Sequence, residues 1–165
     1  HAAIWLAIAM ARIGNGNRAA KILRMINPIE KAKDQETVWR YGVEPYAVAA
    51  DVYSAPEWVG HGGWTWYTGS ASWMYRAIVE EILGLKIQAE KMSIDPVIPD
   101  YWDGFKMSYR HGEAVYEIQV ENPKHVENGV ESIKLDGKPL EENSIPLLKD
   151  FAKHKVIVVM GNRKF

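Results

Sequence analysis

The sequence predicts an α+β protein, with helices in its first half and strands in its second. Two observations carry that reading. Up to Gly84, apolar residues recur at helical spacing in segments punctuated by Gly, Asn and Pro. Beyond Gly84 the period falls to two, β-branched residues become frequent, and turn signals separate short runs. A run of helices followed by a run of strands predicts two structural units, here residues 1–86 and 87–165, with the change falling at about 85–92.

Residues 1–13, HAAIWLAIAMARI, are apolar on nearly every face, which predicts a helix enclosed all round. GNGN at 14–17 breaks it, with Asn17 as the predicted cap of a second helix, RAAKILRMI, ending near Asn27-Pro28. The polar stretch EKAKDQETVWR reads as a loop or linker. VEPYAVAADVYSA reads as a third helix with Pro45 in its first turn, where a missing N–H costs little. After loop glycines 60, 62 and 63, a fourth helix starts near Thr68 and runs through SASWMYRAIVEEIL to Gly84, a C-terminal stop. KMSID, FKMSYRH, AVYEIQVE, ESIKLD and HKVIVVM are the predicted strands of an antiparallel sheet or sandwich, with turns at HGE, ENP and Asp136-Gly137.

Composition narrows the function classes. Twenty basic and 21 acidic residues leave a net charge of −1, which makes no electrostatic case for nucleic acid or an anionic membrane surface. The absence of cysteine excludes disulfides and thiolate metal sites and suits a reducing compartment. No apolar run approaches the roughly 20 residues of a membrane span. The chain opens at His1 directly in a helical pattern, which reads as a piece of something longer.

The stretch GHGGWTWYTGSASWMY at 60–75 is too aromatic for an ordinary loop and too rich in glycine for an ordinary helix. At a helix start, Thr68, Gly69 and Ser70 offer free N–H groups and a dipole that favour an anion; the same triplet also suits a plain cap with tight packing. Tryptophan faces stack on the C–H faces of sugars, so carbohydrate is the ligand class that fits. Trp64 and Trp66, in the glycine-bounded loop, are the candidates, whereas Trp5 and Trp73 read as core. His1, Glu44 and Thr68 each open a predicted helix and would converge on one rim of a helical ring, although a Glu beside Pro45 also suits an ordinary first-turn carboxylate. Asp51, within the predicted third helix, reads as a salt-bridge or cap partner. The five histidines show no metal spacing, GNGN lacks a dinucleotide fingerprint, and no Ser-His-Asp order stands out.

HAAIWLAIAMARIGNGNRA, VEPYAVAADVYSAP, GHGGWTWYTGSASWMYRAIVEEILGL, MSIDPVIPDYWDGF and YEIQVENP together resemble the C-terminal region of glycoside hydrolase family 94, in order and over nearly the whole chain. The wording of ADVYSAP and GGWTWYTGSA is most similar to the β-1,2-glucan branch, which holds cyclic β-1,2-glucan synthases and 1,2-β-oligoglucan phosphorylase. The resemblance implies the last helices of an (α/α)6 barrel followed by an antiparallel β-sandwich. It implies an inverting glycoside phosphorylase, in which inorganic phosphate takes the place of the activated water of an inverting hydrolase and α-glucose 1-phosphate is released.

Carried over residue by residue, the family's phosphate contacts fall on His1, Thr68 and Gly69, and its sugar-binding rim on Glu44, Trp64 and Trp66. The glutamine that disaccharide phosphorylases place after Pro-Tyr is absent from VAAD, which argues against cellobiose. The general acid and the phosphate-site arginines of the family lie upstream, so no catalytic residue is assigned and the piece alone is expected to be inactive. The partners implied are a β-glucan oligosaccharide and phosphate, with no metal or organic cofactor. The implied location is the cytoplasm, as a soluble enzyme or as the cytoplasmic part of a membrane-bound synthase. Competing readings are a non-catalytic carbohydrate-binding module using the strand half, and a hydrolase with a second carboxylate. Apolar helix faces around Trp5, Ile8 and Trp73, left without the rest of a ring, predict a homo-oligomer or a loosely packed helical half.

Overall fold

The computed structural model describes residues 1–66 and 69–163, and helices do precede strands. The helical half holds α1 (Ala2–Arg12), α2 (Gly16–Ile26), α3 (Pro28–Lys31), α4 (Gln35–Tyr41), a 3-10 turn (Pro56–Trp58) and α5 (Gly69–Arg76), which continues as a π-helical segment, Ala77–Ile82. The strand half holds β1 (Leu85–Gln88), β2 (Lys91–Ile94), β3 (Gly104–His111), β4 (Ala114–Glu121), β5 (Val130–Leu135), β6 (Lys138–Leu140), β7 (Ile145–Pro146) and β8 (Lys153–Met160). The changeover falls at Gly84, whose φ of +73° ends the helix in the left-handed conformation that glycine adopts without strain.

Several local expectations are corrected. Asn15, not Asn17, caps α2, its side chain accepting from the Arg18 N–H at 3.0 Å. The polar stretch expected as a loop contains α3 and α4, started by Asn27 and Asp34, whose side chains accept from the Ile29 and Thr37 N–H groups. The third helix does not form. Glu44 to Ala47 is a turn closed by a 2.9 Å hydrogen bond, and Pro45 supplies its fixed φ. The Tyr41 hydroxyl then takes over the backbone on either side of Val48, donating to the Ala47 carbonyl and accepting from the Ala49 N–H. Helix α1 is not enclosed all round: Ile4, Ala7, Ile8 and Ala11 are buried, while Trp5, Leu6 and, just past its end, Ile13 are exposed. Of the face expected bare, Ile8 is in the core and Trp73 packs against it.

The strands form two sheets, ordered β1-β2-β7 and β3-β4-β8-β5-β6. All pairs are antiparallel except β4 with β8, which correct the all-antiparallel expectation; the long return from residue 122 to 152 brings β8 back to the same end as β4. Asp136 and Gly137 both have positive φ and form the two-residue turn joining β5 to β6, as the pair predicts. Alternate residues of β4 and β8 point inward: Ala114, Tyr116, Ile118 and Val120 from one, His154, Val156, Val158 and Met160 from the other. All of these but His154 join Ile4, Ala7, Ala19, Met74 and Ala77 of the helices in one continuous apolar cluster.

GNGN is where the halves meet. A Cβ on Gly16 would lie 2.1 Å from the Ile98 carbonyl oxygen, so only glycine allows α2 so close to the chain before β3. Asn17 accepts from the Asp100 N–H at 3.2 Å, its own N–H donates to Glu127, and the Gly14 carbonyl accepts from Asn128.

Candidate functional site

Residues 47–53 and 60–64 form a short antiparallel ladder instead of a helix and a loop. The Ala50 N–H donates to the Trp64 carbonyl at 2.8 Å, the Gly63 N–H to Asp51 at 2.9 Å and the Tyr53 N–H to His61 at 2.9 Å. A cluster of rings locks the far end: the His61 ring stacks on Tyr53, meets Trp58 edge-on at 5.4 Å, and covers Gly42 so closely that a Cβ there would lie 2.3 Å from it. The near end is held by Ser70 at the start of α5, buried and within 3.3 Å of the Val48 and Ala49 carbonyls.

This arrangement brings the start of α5 to the start of α1. A Cβ on Gly69 would lie 2.6 Å from His1 Nε2, so the imidazole occupies the space that the missing side chain leaves. The His1 ring also sits 6.0 Å from Trp5, which meets Trp73 edge-on at 5.8 Å, with the Arg76 guanidinium 5.2 Å from the Trp73 ring. His1 caps α1 without a side-chain hydrogen bond, which leaves its ring nitrogens for the space above Gly69.

Beside this contact lies a cavity of about 470 Å³ lined by His1, Ile4, Tyr41, Val48, Asp51 and Ser70, with Lys31 and Arg40 also on its wall. Its surface is mostly apolar, with a few charged groups that could fix a ligand's orientation. Of the residues predicted from sequence, His1 and Gly69 are brought together. Thr68 lies outside the described residues. Glu44 sits exposed in its turn, and Trp64 and Trp66 are exposed on the loop; none of the three lines the cavity. Asp51 is corrected from a helix residue acting as a salt-bridge or cap partner to an exposed ladder residue whose carboxylate lies across Gly63. Sequence reasoning missed Tyr41 and His61, and for Ser70 it gave a helix-start position but not its contact with the Val48 and Ala49 carbonyls. A lone tyrosine or serine carries no signal for the carbonyl it will meet.

Elsewhere, no described helix is long and apolar enough to cross a membrane. His154 is buried on β8, its Nδ1 2.8 Å from Asp136 and its Nε2 3.2 Å from Asp150. Hydrogen bonding to Asp136 raises the His154 pKa above the ordinary value despite burial, and both carboxylates are held below theirs, Asp136 chiefly by His154 and Asp150 chiefly by the Ala152 N–H.

Residues 1–84 match the glycosyl hydrolase 94 superfamily catalytic domain. The chain is 44% identical over 120 residues to the cyclic β-(1,2)-glucan synthase NdvB of Rhizobium meliloti, covering 73% of this chain and 4% of the synthase. It is 34% identical over 158 residues to the N,N'-diacetylchitobiose phosphorylase of Vibrio proteolyticus, covering 95% of this chain and 19% of that enzyme. It is 28% identical over 162 residues to the solabiose phosphorylase of Paenibacillus borealis, covering 97% of this chain and 21% of that enzyme. The chain thus spans about a fifth or less of the length of these relatives. With its helical half matched throughout by the catalytic-domain model, the chain belongs to the glycosyl hydrolase 94 superfamily.

Proposed function

We propose that this chain is the C-terminal part of an inverting glycoside phosphorylase-like enzyme acting on β-glucans, with β-1,2 linkages as the substrate. The observation that carries the reading is the closure of His1 over Gly69 at the start of α5. An imidazole, a cation when protonated, and a helix start beside one cavity suit a phosphate dianion. Thr68, the adjoining residue, would complete that cradle. Exposed Trp64 and Trp66 supply stacking faces for sugar rings, and Glu44 a carboxylate on the same loop system. The β-1,2 assignment is supported by the relationship to a β-(1,2)-glucan synthase.

In this reading a phosphate oxygen attacks the anomeric carbon as the C1–O glycosidic bond breaks with inversion, and a general acid gives its proton to the departing oxygen. That acid would be supplied by residues outside these 165, in the helices that complete an (α/α)6 barrel, with β1–β8 forming the β-sandwich beside it. The isolated chain is then a binding fragment without turnover.

The test is phosphate-dependent release of α-glucose 1-phosphate from β-1,2-glucooligosaccharides by a longer protein that contains this chain. Thr68→Val should lower that release by at least about a hundredfold, the usual order for removing one donor to developing charge, with little change in melting temperature. Normal turnover by Thr68→Val, or release of glucose in place of glucose 1-phosphate, overturns the reading.

A further inference from the structure

Asp51 has no hydrogen-bond or ion-pair partner for its carboxylate among the described residues, yet its backbone is fixed on both sides. The Asp51 carbonyl accepts from Gly63, and the neighbouring Ala50 N–H donates to Trp64. The carboxylate lies directly across the Gly63 backbone, where a Cβ would fall 1.6 Å from Oδ1. Gly63 therefore makes room for this side-chain position, and Asp51 is among the residues that line the cavity with His1 and Ser70. Trp64, half exposed, follows Gly63 on the partner strand, so an anionic acceptor and an indole sit on neighbouring ladder positions.

We propose that Asp51 is a specificity-determining residue of this cavity, accepting hydroxyl hydrogens from a neutral sugar unit and rejecting a sugar that carries a carboxylate. A carboxylate is an acceptor only, and hydroxyls are the donors a sugar offers; a uronate would instead bring a second negative charge against it. The cavity wall then carries two chemically distinct groups besides Lys31 and Arg40, the His1 imidazole and the Asp51 carboxylate. This inference rests on the reading of the cavity as a sugar site.

The experiment is an NMR-detected titration of the 165-residue chain with β-1,2-linked glucobiose and with the same disaccharide oxidised to a glucuronate in one ring. Wild type is expected to bind the neutral sugar at least about tenfold more tightly than the uronate, as for a hydrogen bond to a charged group. Asp51→Ala should weaken the neutral sugar by about tenfold and bring the two ligands within about threefold of each other. Gly63→Ala should do the same with Asp51 intact, because the added methyl displaces the carboxylate; the chemical-shift dispersion of each variant reports that it is folded. Equal binding of both ligands by wild type, no binding of either, or discrimination that survives in both variants overturns the proposal. Phosphate titrated into the same samples separates the two readings: loss of the phosphate response with sugar discrimination intact counts against phosphorolysis and not against Asp51.

Discussion

A methyl group on Gly69 would fall 2.6 Å from His1 Nε2, and the imidazole would have to leave. Alanine favours a helix more than glycine does, so Gly69→Ala is expected to keep or raise the melting temperature while lowering phosphate affinity by about tenfold. Isothermal titration beside a thermal melt checks both halves of that statement. His154 offers a second residue-scale test. Its folded pKa lies above the ordinary histidine value of 6.5, so its pairing with Asp136 and Asp150 stabilises the fold fully below that value and is lost as pH rises through the raised one. The two carboxylates, held below 3.8, contribute above that value and lose their contribution as pH falls through the lowered ones. Thermal melts should therefore show a maximum on the mildly acidic side, between those limits. His154→Gln should remove the fall on the alkaline side, and an unchanged profile in that variant would refute the account.

At the scale of elements, the GNGN segment is both a helix break and the joint between the two halves. Asn15→Ala removes the cap of α2 and should cost about 1 kcal/mol in chemical denaturation. Gly16→Ala puts a methyl against the Ile98 carbonyl, a backbone atom that cannot swing away, and should cost about 2 kcal/mol or more. Asn17→Ala should be milder than Gly16→Ala, since it removes a contact without creating a collision. The π-helical segment is a second device at this scale. Its wide turn, with the Leu83 N–H donating to Ile78, accompanies an inward-facing Glu81 paired with Arg12 at 2.8 Å, which ties α1 to the end of α5. Helical periodicity in SASWMYRAIVEEIL does not distinguish an α turn from a π turn.

Over the whole molecule, one apolar cluster runs from α1 to β8, but the outer face of the helices is left apolar. Trp5, Leu6, Ile13, Met25, Ile29 and Trp39 are all exposed, and faces of this kind favour association. Light scattering on the isolated chain is expected to show a mass that rises with concentration, and Leu6→Lys to lower it; a constant monomer mass to high concentration would contradict this.

The sequence by itself determined the order of helices and strands, the stop at Gly84, the Asp136-Gly137 turn and the inward faces of β4 and β8. These follow from local rules: side-chain period, positive φ and the steric limits of glycine. It also singled out GHGGWTWYTGSASWMY as a candidate binding stretch, through a composition that neither loop nor helix explains. Tertiary structure decided the rest. VEPYAVAADVYSA has a helical pattern but spends its backbone hydrogen bonds on Tyr41 and on residues 61–64, partners far enough along the chain to leave no local trace. Asp51 lies in a ladder and not in a helix for the same reason. The meeting of His1 with Gly69 likewise depends on two helix starts separated by most of the helical half, and only the packing of α1 against α5 brings them together.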